Sequence, residues 1–230
     1  MFEKQNVITI DGPSGVGKST ISRKIADSLG FTYLDTGAMY RAVGLYLERH
    51  NVDIADEKAV YAALAAIRIE LFAIGTGFGD VGVLLNGEDV SQEIRSPEAA
   101  MVASQVSAIP AVREKLTRLQ RTIGEQGGVV AEGRDTGTVV FPLAKHKFFL
   151  DAKPEERARR RVLQLQARGE VVDEKQILAM TIERDKNDRE RAIAPLKQAG
   201  DALAIDTTTR DIEEVSRLVL EAVKGKQAKV

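Results

Sequence analysis

VITIDGPSGVGKST, residues 7–20, sets an apolar run directly against a glycine-rich turn and the start of a periodic segment. Strand, loop and helix start follow in that order, and Gly12, Gly17, Lys18 and Ser19 fill the pattern GxxxxGK[ST] of a phosphate-binding P-loop. Gly12, Gly15 and Gly17 let the backbone curl so that successive N–H groups point at one anion, with Pro13, Ser14 and Val16 filling in the loop. Lys18 carries a point charge toward the β/γ-phosphates of a nucleotide, and the Ser19 hydroxyl is placed to meet Mg²⁺. Beyond Thr20, the residues Ile21, Ile25 and Leu29 recur at helical spacing and Gly30 ends the pattern. The helix thus presents its N-terminus to the phosphates and its apolar stripe to a core.

A chain of 230 residues is long enough to bury a substantial core. Lys plus Arg number 33 against 34 for Asp plus Glu, so no global field draws the protein to nucleic acid or to an anionic membrane, and partners have to be read from local sites. Cysteine is absent, which excludes disulfides and thiolate metal sites and fits a reducing compartment. Only His50 and His146 are present, so chemistry built on several histidines is poorly supplied. The N-terminal MFEKQN is charged, and no apolar run reaches the ~18 residues of a membrane span. A cytoplasmic protein is expected.

Further along, FTYLDTGAMYR (31–41) reads as a second strand turning at Asp35-Thr36-Gly37, with helical periodicity resuming at Met39. Helical patterns follow to Ala66, broken at His50-Asn51, and at Ile67 the period changes to two. Residues 67–93, with the glycine turn GTGFGD and the tight-turn pair Asn86-Gly87, read as an inserted antiparallel sheet of two or three strands. Ser96-Pro97 opens one helix and Ile109-Pro110 separates it from the next, whose stripe of Val112, Leu116, Leu119 and Ile123 runs to Gly124. GGVVAEGRD (127–135), Lys147 to Leu150 and Ala202 to Ile205 are further short apolar runs. Five such strands separated by helices predict an α/β fold, a parallel sheet covered on both faces, with the carboxyl ends of its strands lining one crevice. Asp211 to Val223 is an amphipathic helix, and the tail GKQAKV is polar enough for disorder.

Two arginine-dense helices lie before the last strand. By the helical period, Arg157, Arg161 and Arg168 fall within about 40° of one another, and Arg184, Asp188 and Arg191 within roughly 60°. Asp173 with Gln176 makes a capping box for the second helix. Both clusters can be solvated faces with i,i+4 ion pairs, but like charges stacked on one face favour an anion opposite them, which points to phosphate.

IDGPSGVGKST, LDTGAMYRA, GEDVSQEIR, SQVSAIPAVRE, EGRDTGTVVFP, FLDAKPEERARRR and ERDKNDRERA, in that order over nearly the whole chain, resemble the bacterial-type cytidylate kinases, within the nucleoside monophosphate kinases. The resemblance implies phosphoryl transfer from ATP, with Mg²⁺, to CMP or dCMP by a single P-loop kinase domain, expected as a monomer. Its parallel core would comprise residues 1–41, 129–154 and 195–230, its acceptor-binding insertion about 42–128, and a mobile helical lid with the following helix about 155–194. Residues Gly12 to Thr20 would hold ATP. By the same resemblance Arg41 and Arg134 fall on the acceptor phosphate, and Ser104, Arg113 and Asp135 on cytosine. Arg184, Asp188 and Arg191 fall on sugar and base, with Thr36 also at the acceptor. Lys18, Arg134 and the lid arginines Arg157 and Arg161 would carry the charge of the transferring phosphoryl. The family also uses Ser at position 36 and in some members Gly at position 19, which bears on the Mg²⁺ role of Ser19.

The residue types suit this chemistry. In-line phosphoryl transfer is mostly positioning and cation placement and needs no His or Cys nucleophile. Cytosine offers a donor at N4 and acceptors at N3 and O2, for which a carboxylate and a guanidinium are complementary. A nucleotide-dependent switch is the main rival, but no NKxD-type base motif is present. A P-loop kinase for another small acceptor leaves the GRD and SQVSAIPAVR segments unexplained.

Overall fold

The computed structural model describes residues 5–74 and 81–225. The elements in order are β1 (Gln5–Asp11), α1 (Lys18–Leu29), β2 (Thr32–Asp35), α2 (Thr36–Arg49), α3 (Glu57–Ala66), β3 (Ile69–Ala73), β4 (Val81–Leu85), β5 (Glu88–Asp89) and a 3₁₀ turn (Glu93–Arg95). There follow α4 (Pro97–Val106), α5 (Pro110–Glu125), β6 (Val129–Gly133), a π-helical turn (Thr136–Val140), β7 (Ala144–Asp151), α6 (Pro154–Gln166), α7 (Glu174–Glu190), β8 (Leu203–Asp206) and α8 (Ile212–Val223). The GTGFGD turn and all but the first residue of the polar tail, both noted in the sequence, lie outside the described residues.

Five strands pair in parallel in the order β2-β6-β1-β7-β8. Alternating side chains send the strands into two cores, which is why apolar residues occupy both faces of these strands. On one face Val7, Leu34, Val129 and Ala131 pack with Met39 and Val43 of α2 and with Val112 and Leu116 of α5. On the other, Ile8, Ile10, Val130 and Leu150 pack with Ile21 and Ile25 of α1 and with Val215 and Leu218 of α8. The insertion is a three-stranded antiparallel sheet, β3-β4-β5, whose Ile69, Val83 and Leu85 join the first core.

Helix starts follow their caps. Ser96 accepts from the Ala99 amide at 3.1 Å, Asp173 from Lys175 at 2.8 Å and Gln176 at 3.3 Å, and Asp211 from Glu214 at 2.8 Å. Three features depart from the sequence expectations. Helix α2 begins at Thr36 rather than near Met39, because the Asp35 carboxylate caps it through the Ala38 amide at 2.9 Å. The π-helical turn after β6 has no periodic signature. It forms around the buried Asp11 carboxylate, which accepts from the amides of Thr136 (2.9 Å) and Gly137 (2.7 Å) and from the Thr136 hydroxyl (2.8 Å). Gly124, expected as a stop, lies inside α5, where it leaves room for the ring of Phe141.

A Cβ on Gly124 would stand 2.3 Å from Phe141 Cε1. Gly124→Ala is therefore expected to destabilise the fold by about 1–3 kcal/mol through overpacking, against the ~1 kcal/mol by which Ala is the better helix former. Denaturant unfolding measures this, and a stabilised variant would show that the ring does not constrain the helix.

Candidate active site

The carboxyl ends of β1, β2 and β6 open into a cleft of about 970 Å³. Its walls are the P-loop and start of α1, the start of α2, the inner face of α4, the loop after β6, one face of α6, the cleft side of α7 and residues 207–212 after β8.

The P-loop forms a tight cradle because its glycines leave the ordinary backbone region, with Gly15 at φ 81° and Gly17 at φ 94°. Gly12, at φ 151°, lies so close to β7 that a Cβ would stand 2.0 Å from the Leu150 carbonyl oxygen. Gly12 and Pro13 are buried at the base of the loop, whereas Ser14 through Thr20 face the cleft. Lys18 is 8% exposed and donates to the Pro13 carbonyl at 2.6 Å. Burial, assisted by the nearby Arg134, pulls its ammonium down to about 7.

Opposite lies a set of paired charges. Arg41 donates to Asp35 at 2.8 Å, and Arg134 to Asp188 at 2.7 Å. Burial acts to raise both carboxyls, but the adjoining guanidiniums hold each below its ordinary value. Asp135 is 6% exposed, with Arg113 on one oxygen and Arg191 on the other at 3.3 Å. Burial still pushes its carboxyl above the ordinary range against these two cations. Arg191 also reaches the Ala194 carbonyl at 2.6 Å and the Ser107 hydroxyl at 3.4 Å. Arg184 donates to the Ser14 hydroxyl at 3.3 Å, and burial lowers its pKa to about 10.

Of the residues singled out from the sequence, Thr36, Arg41, Ser104, Arg134, Asp135, Arg184, Asp188 and Arg191 line this cleft together with Lys18 and Ser19. Arg113 does not. It is 4% exposed behind Asp135, donates to the Ser107 carbonyl at 3.2 Å and lies 5.6 Å from the Tyr40 ring centroid. Thr36 uses its hydroxyl on the Glu132 carbonyl at 2.7 Å.

Arg157 and Arg161, expected at the transferring phosphoryl, are not in the cleft lining. Arg157 is 2% exposed and buries its guanidinium against Asp185, so the anion facing this arginine is a carboxylate of the chain itself. Arg161 is half-buried elsewhere on α6, and Arg168 lies exposed beyond the helix end. The cleft-facing arginines of α6 are Arg159 and Arg160, with Arg160 donating to the Thr207 carbonyl at 2.5 Å. The sequence carried a signal for this phase: Ala158, Val162 and Leu165 form the apolar stripe that turns inward, with Arg157 beside it.

Glu132, next to last in β6, is not among the site residues singled out above. It is 4% exposed and lines the cleft. Oε1 accepts from the Tyr33 hydroxyl, and Oε2 is buried with no hydrogen-bond partner. Burial and the nearby Asp35 push the carboxyl up, while Lys18, Tyr33 and Ser19 pull it down. An unsatisfied carboxylate oxygen beside Ser19 suits a hydrated divalent cation. Among the described residues no group of three or more His, Cys, Asp or Glu could by itself hold a metal, so such a cation would need phosphate and water as its other ligands.

Comparison with known proteins agrees with this geometry. The family model described as cytidylate kinase matches residues 8–225. A protein of Syntrophotalea carbinolica named cytidylate kinase is 50% identical over 226 residues, covering 98% of this chain and 95% of its own. One of Escherichia fergusonii with the same name is 49% identical over 222 residues, covering 96% of each. A crystal structure of an uncharacterized protein from Eubacterium ventriosum superposes with a TM-score of 0.51 at 14% identity, covering 97% of this chain and 100% of that one, a likeness of fold. With the P-loop, the GRD segment and the α7 charges drawn into one cleft, and half of all positions identical across nearly the full length, the chain belongs to the cytidylate kinase family.

Proposed function

We propose that this protein is an ATP-dependent cytidylate kinase that transfers the γ-phosphoryl of ATP to CMP or dCMP, giving ADP and CDP or dCDP. The observation that carries this reading is one cleft holding both the P-loop with Lys18 and the buried Asp135 carboxylate between Arg113 and Arg191. The P-loop amides, Lys18 and the hydroxyls of Ser19 and Thr20 hold the donor phosphates. Arg159, Arg160 and residues 207–212 border the same end and are available to the rest of ATP.

Arg41 and Arg134 bind the acceptor phosphate. Each is now paired with a carboxylate, Asp35 or Asp188, which fixes the guanidinium near where the anion arrives. Asp135 accepts from the cytosine amino group, with Arg191 and Ser104 at its side. Arg113, behind it, keeps the carboxylate ionised and oriented. Uracil presents an oxygen where cytosine presents the amino group, and a buried carboxylate facing that oxygen rejects it. Arg184 and Asp188 reach the sugar side.

Ser19 and Glu132 are the residues that would meet Mg²⁺, which when bound offsets phosphate charge during transfer. Arg134 and Lys18 border the path between donor and acceptor, where negative charge is spread over the equatorial oxygens of the transition state. In domain terms the reading is one unit: a parallel core, the acceptor insertion at about 42–128, and at about 155–194 a lid with its following helix, hinged outside the buried Arg157 so that the outer part closes to exclude water. All assigned groups come from one chain, so a monomer suffices. The absence of cysteine fits a cytoplasmic setting, and among the described residues no helix is long and apolar enough to cross a membrane.

A coupled ADP-release assay over a panel of nucleoside monophosphates tests the reading, with CMP and dCMP expected as the preferred acceptors and equal turnover of UMP overturning it. Lys18→Ala is expected to lower kcat roughly 10²–10³-fold with little change in the unfolding midpoint, and near-normal kcat would remove the P-loop assignment. Asp135→Asn turns a donor toward the base and is expected to lower the CMP-over-UMP ratio of kcat/KM by about ten- to a hundredfold. An equal loss on both acceptors would assign Asp135 to the phosphates instead. Because Lys18 titrates near 7 without ligand and a polyanion raises that value, nucleotide binding at pH 8 is expected to take up protons. Calorimetry in buffers of different ionisation enthalpy measures the uptake, and its absence in Lys18→Ala assigns it.

A further inference from the structure

Arg157 leaves no donor face idle. Its Nε donates to the Ala152 carbonyl at 2.9 Å, at the end of β7, and its Nη1 donates to the Ser14 carbonyl in the P-loop at 3.1 Å. Both Nη groups meet the Asp185 carboxylate, Nη1 at 2.9 Å from Oδ1 and Nη2 on Oδ2. One buried guanidinium therefore ties together the donor loop, the sheet, α6 and α7. Ser14 is held a second time from α7, through its hydroxyl and Arg184 at 3.3 Å.

Helix α7 and its C-cap Arg191 also carry groups assigned above to the acceptor. Asp188, three residues beyond Asp185, holds Arg134, and Arg191 reaches Asp135. A shift of α7 against the P-loop would move donor and acceptor groups relative to one another, which is the displacement in-line transfer tolerates least. Stability alone is a weak reason for this pair, since a buried ion pair is often no better than apolar side chains of similar volume.

We propose that Arg157 and Asp185 are positioning residues: their buried pair couples the donor-phosphate loop to the acceptor-binding face of α7, so that occupation of one nucleotide site strengthens binding at the other. Neither side chain needs to touch the transferring phosphoryl. The proposal rests on the kinase reading of the cleft, and it moves Arg157 from that phosphoryl to the framework that aims it.

The test measures CMP affinity by calorimetry, with and without a saturating non-hydrolysable ATP analogue, together with steady-state kinetics. The proteins are wild type, Arg157→Lys, and a double variant, Arg157→Met with Asp185→Leu, chosen because it leaves no unpaired buried charge. In wild type the donor analogue is expected to tighten CMP binding at least about fivefold, the lower range of coupling between linked sites. In the double variant that factor is expected to fall to within about twofold of unity and kcat at least about tenfold, with CMP affinity in the absence of donor within about threefold of wild type. Arg157→Lys, which keeps the charge but loses the fork, is expected to fall between them. Coupling and kcat retained in the folded double variant would overturn the proposal and leave a static packing pair. So would a wild type without coupling, or a variant that loses CMP affinity outright, which would assign the pair to the acceptor site itself. Failure of wild type to bind or phosphorylate CMP would instead remove the kinase reading.

Discussion

A guanidinium taken out of water has to meet an anion or a set of carbonyls, and in this protein that requirement arranges the cleft. Arg113 and Arg191 share Asp135, Arg134 takes Asp188, Arg41 takes Asp35, and Arg157 takes Asp185. Each pair joins elements distant in sequence or caps one of them, so the charges that serve anions also determine where α2, α5, α6 and α7 lie. Where the pair is exclusive, as for Arg134 with Asp188 and Arg157 with Asp185, removing one member leaves its partner buried without its counter-ion, which costs more than the pair contributes.

The arrangement is suited to a polyanionic substrate pair. Cations are held in place before phosphate arrives, so little reorganisation remains at the moment of transfer. Carboxylates limit the repulsion among several arginines and Lys18, a repulsion that adds to burial, the larger cause, in lowering the values of Lys18, Arg184 and Arg191. Incoming phosphate can then share guanidiniums whose remaining N–H groups are free to donate. Arg41 Nε, Arg184 Nε and one Glu132 oxygen are buried in this network without a hydrogen-bond partner, and the Glu132 oxygen lies beside the serine that the P-loop pattern marks for a cation.

Much of the fold was legible because its signals are local and periodic. The apolar run at Val7–Ile10, the glycines and Lys18-Ser19 specify strand, loop and helix whatever surrounds them, and the change of period at Ile67 marked the inserted sheet. Serine and proline at 96–97 and proline at 110 marked helix starts, and α4 and α5 begin at those two prolines, the first under a Ser96 cap. Two misjudged boundaries had causes outside the local window. Asp35 extends α2 backward by capping it, and Gly124 continues a helix because Phe141, from another segment, fills the space a Cβ would take.

The site divides in a similar way. Glycine spacing, the lysine after it and the grouping of Arg184 and Asp188 on one helical arc follow from bond geometry and the helical period, so the sequence contained a phosphate loop and a charged face before any folding was considered, whereas Arg191, expected on the same arc, caps the end of α7 outside the helix. Which charges face the ligand is a different matter, because it depends on the rotation of each helix about its axis, and that rotation is set by the apolar stripe it must bury against other elements. On α6 the burial of Ala158, Val162 and Leu165 turns Arg159 and Arg160 into the cleft and carries Arg157 inward to Asp185, nineteen residues beyond the end of that helix. Arg113 likewise spends its charge on Asp135, because folding buries the two side by side 22 residues apart in the chain. Counter-ion choice is a property of packed surfaces, and packing is what a one-dimensional pattern does not contain.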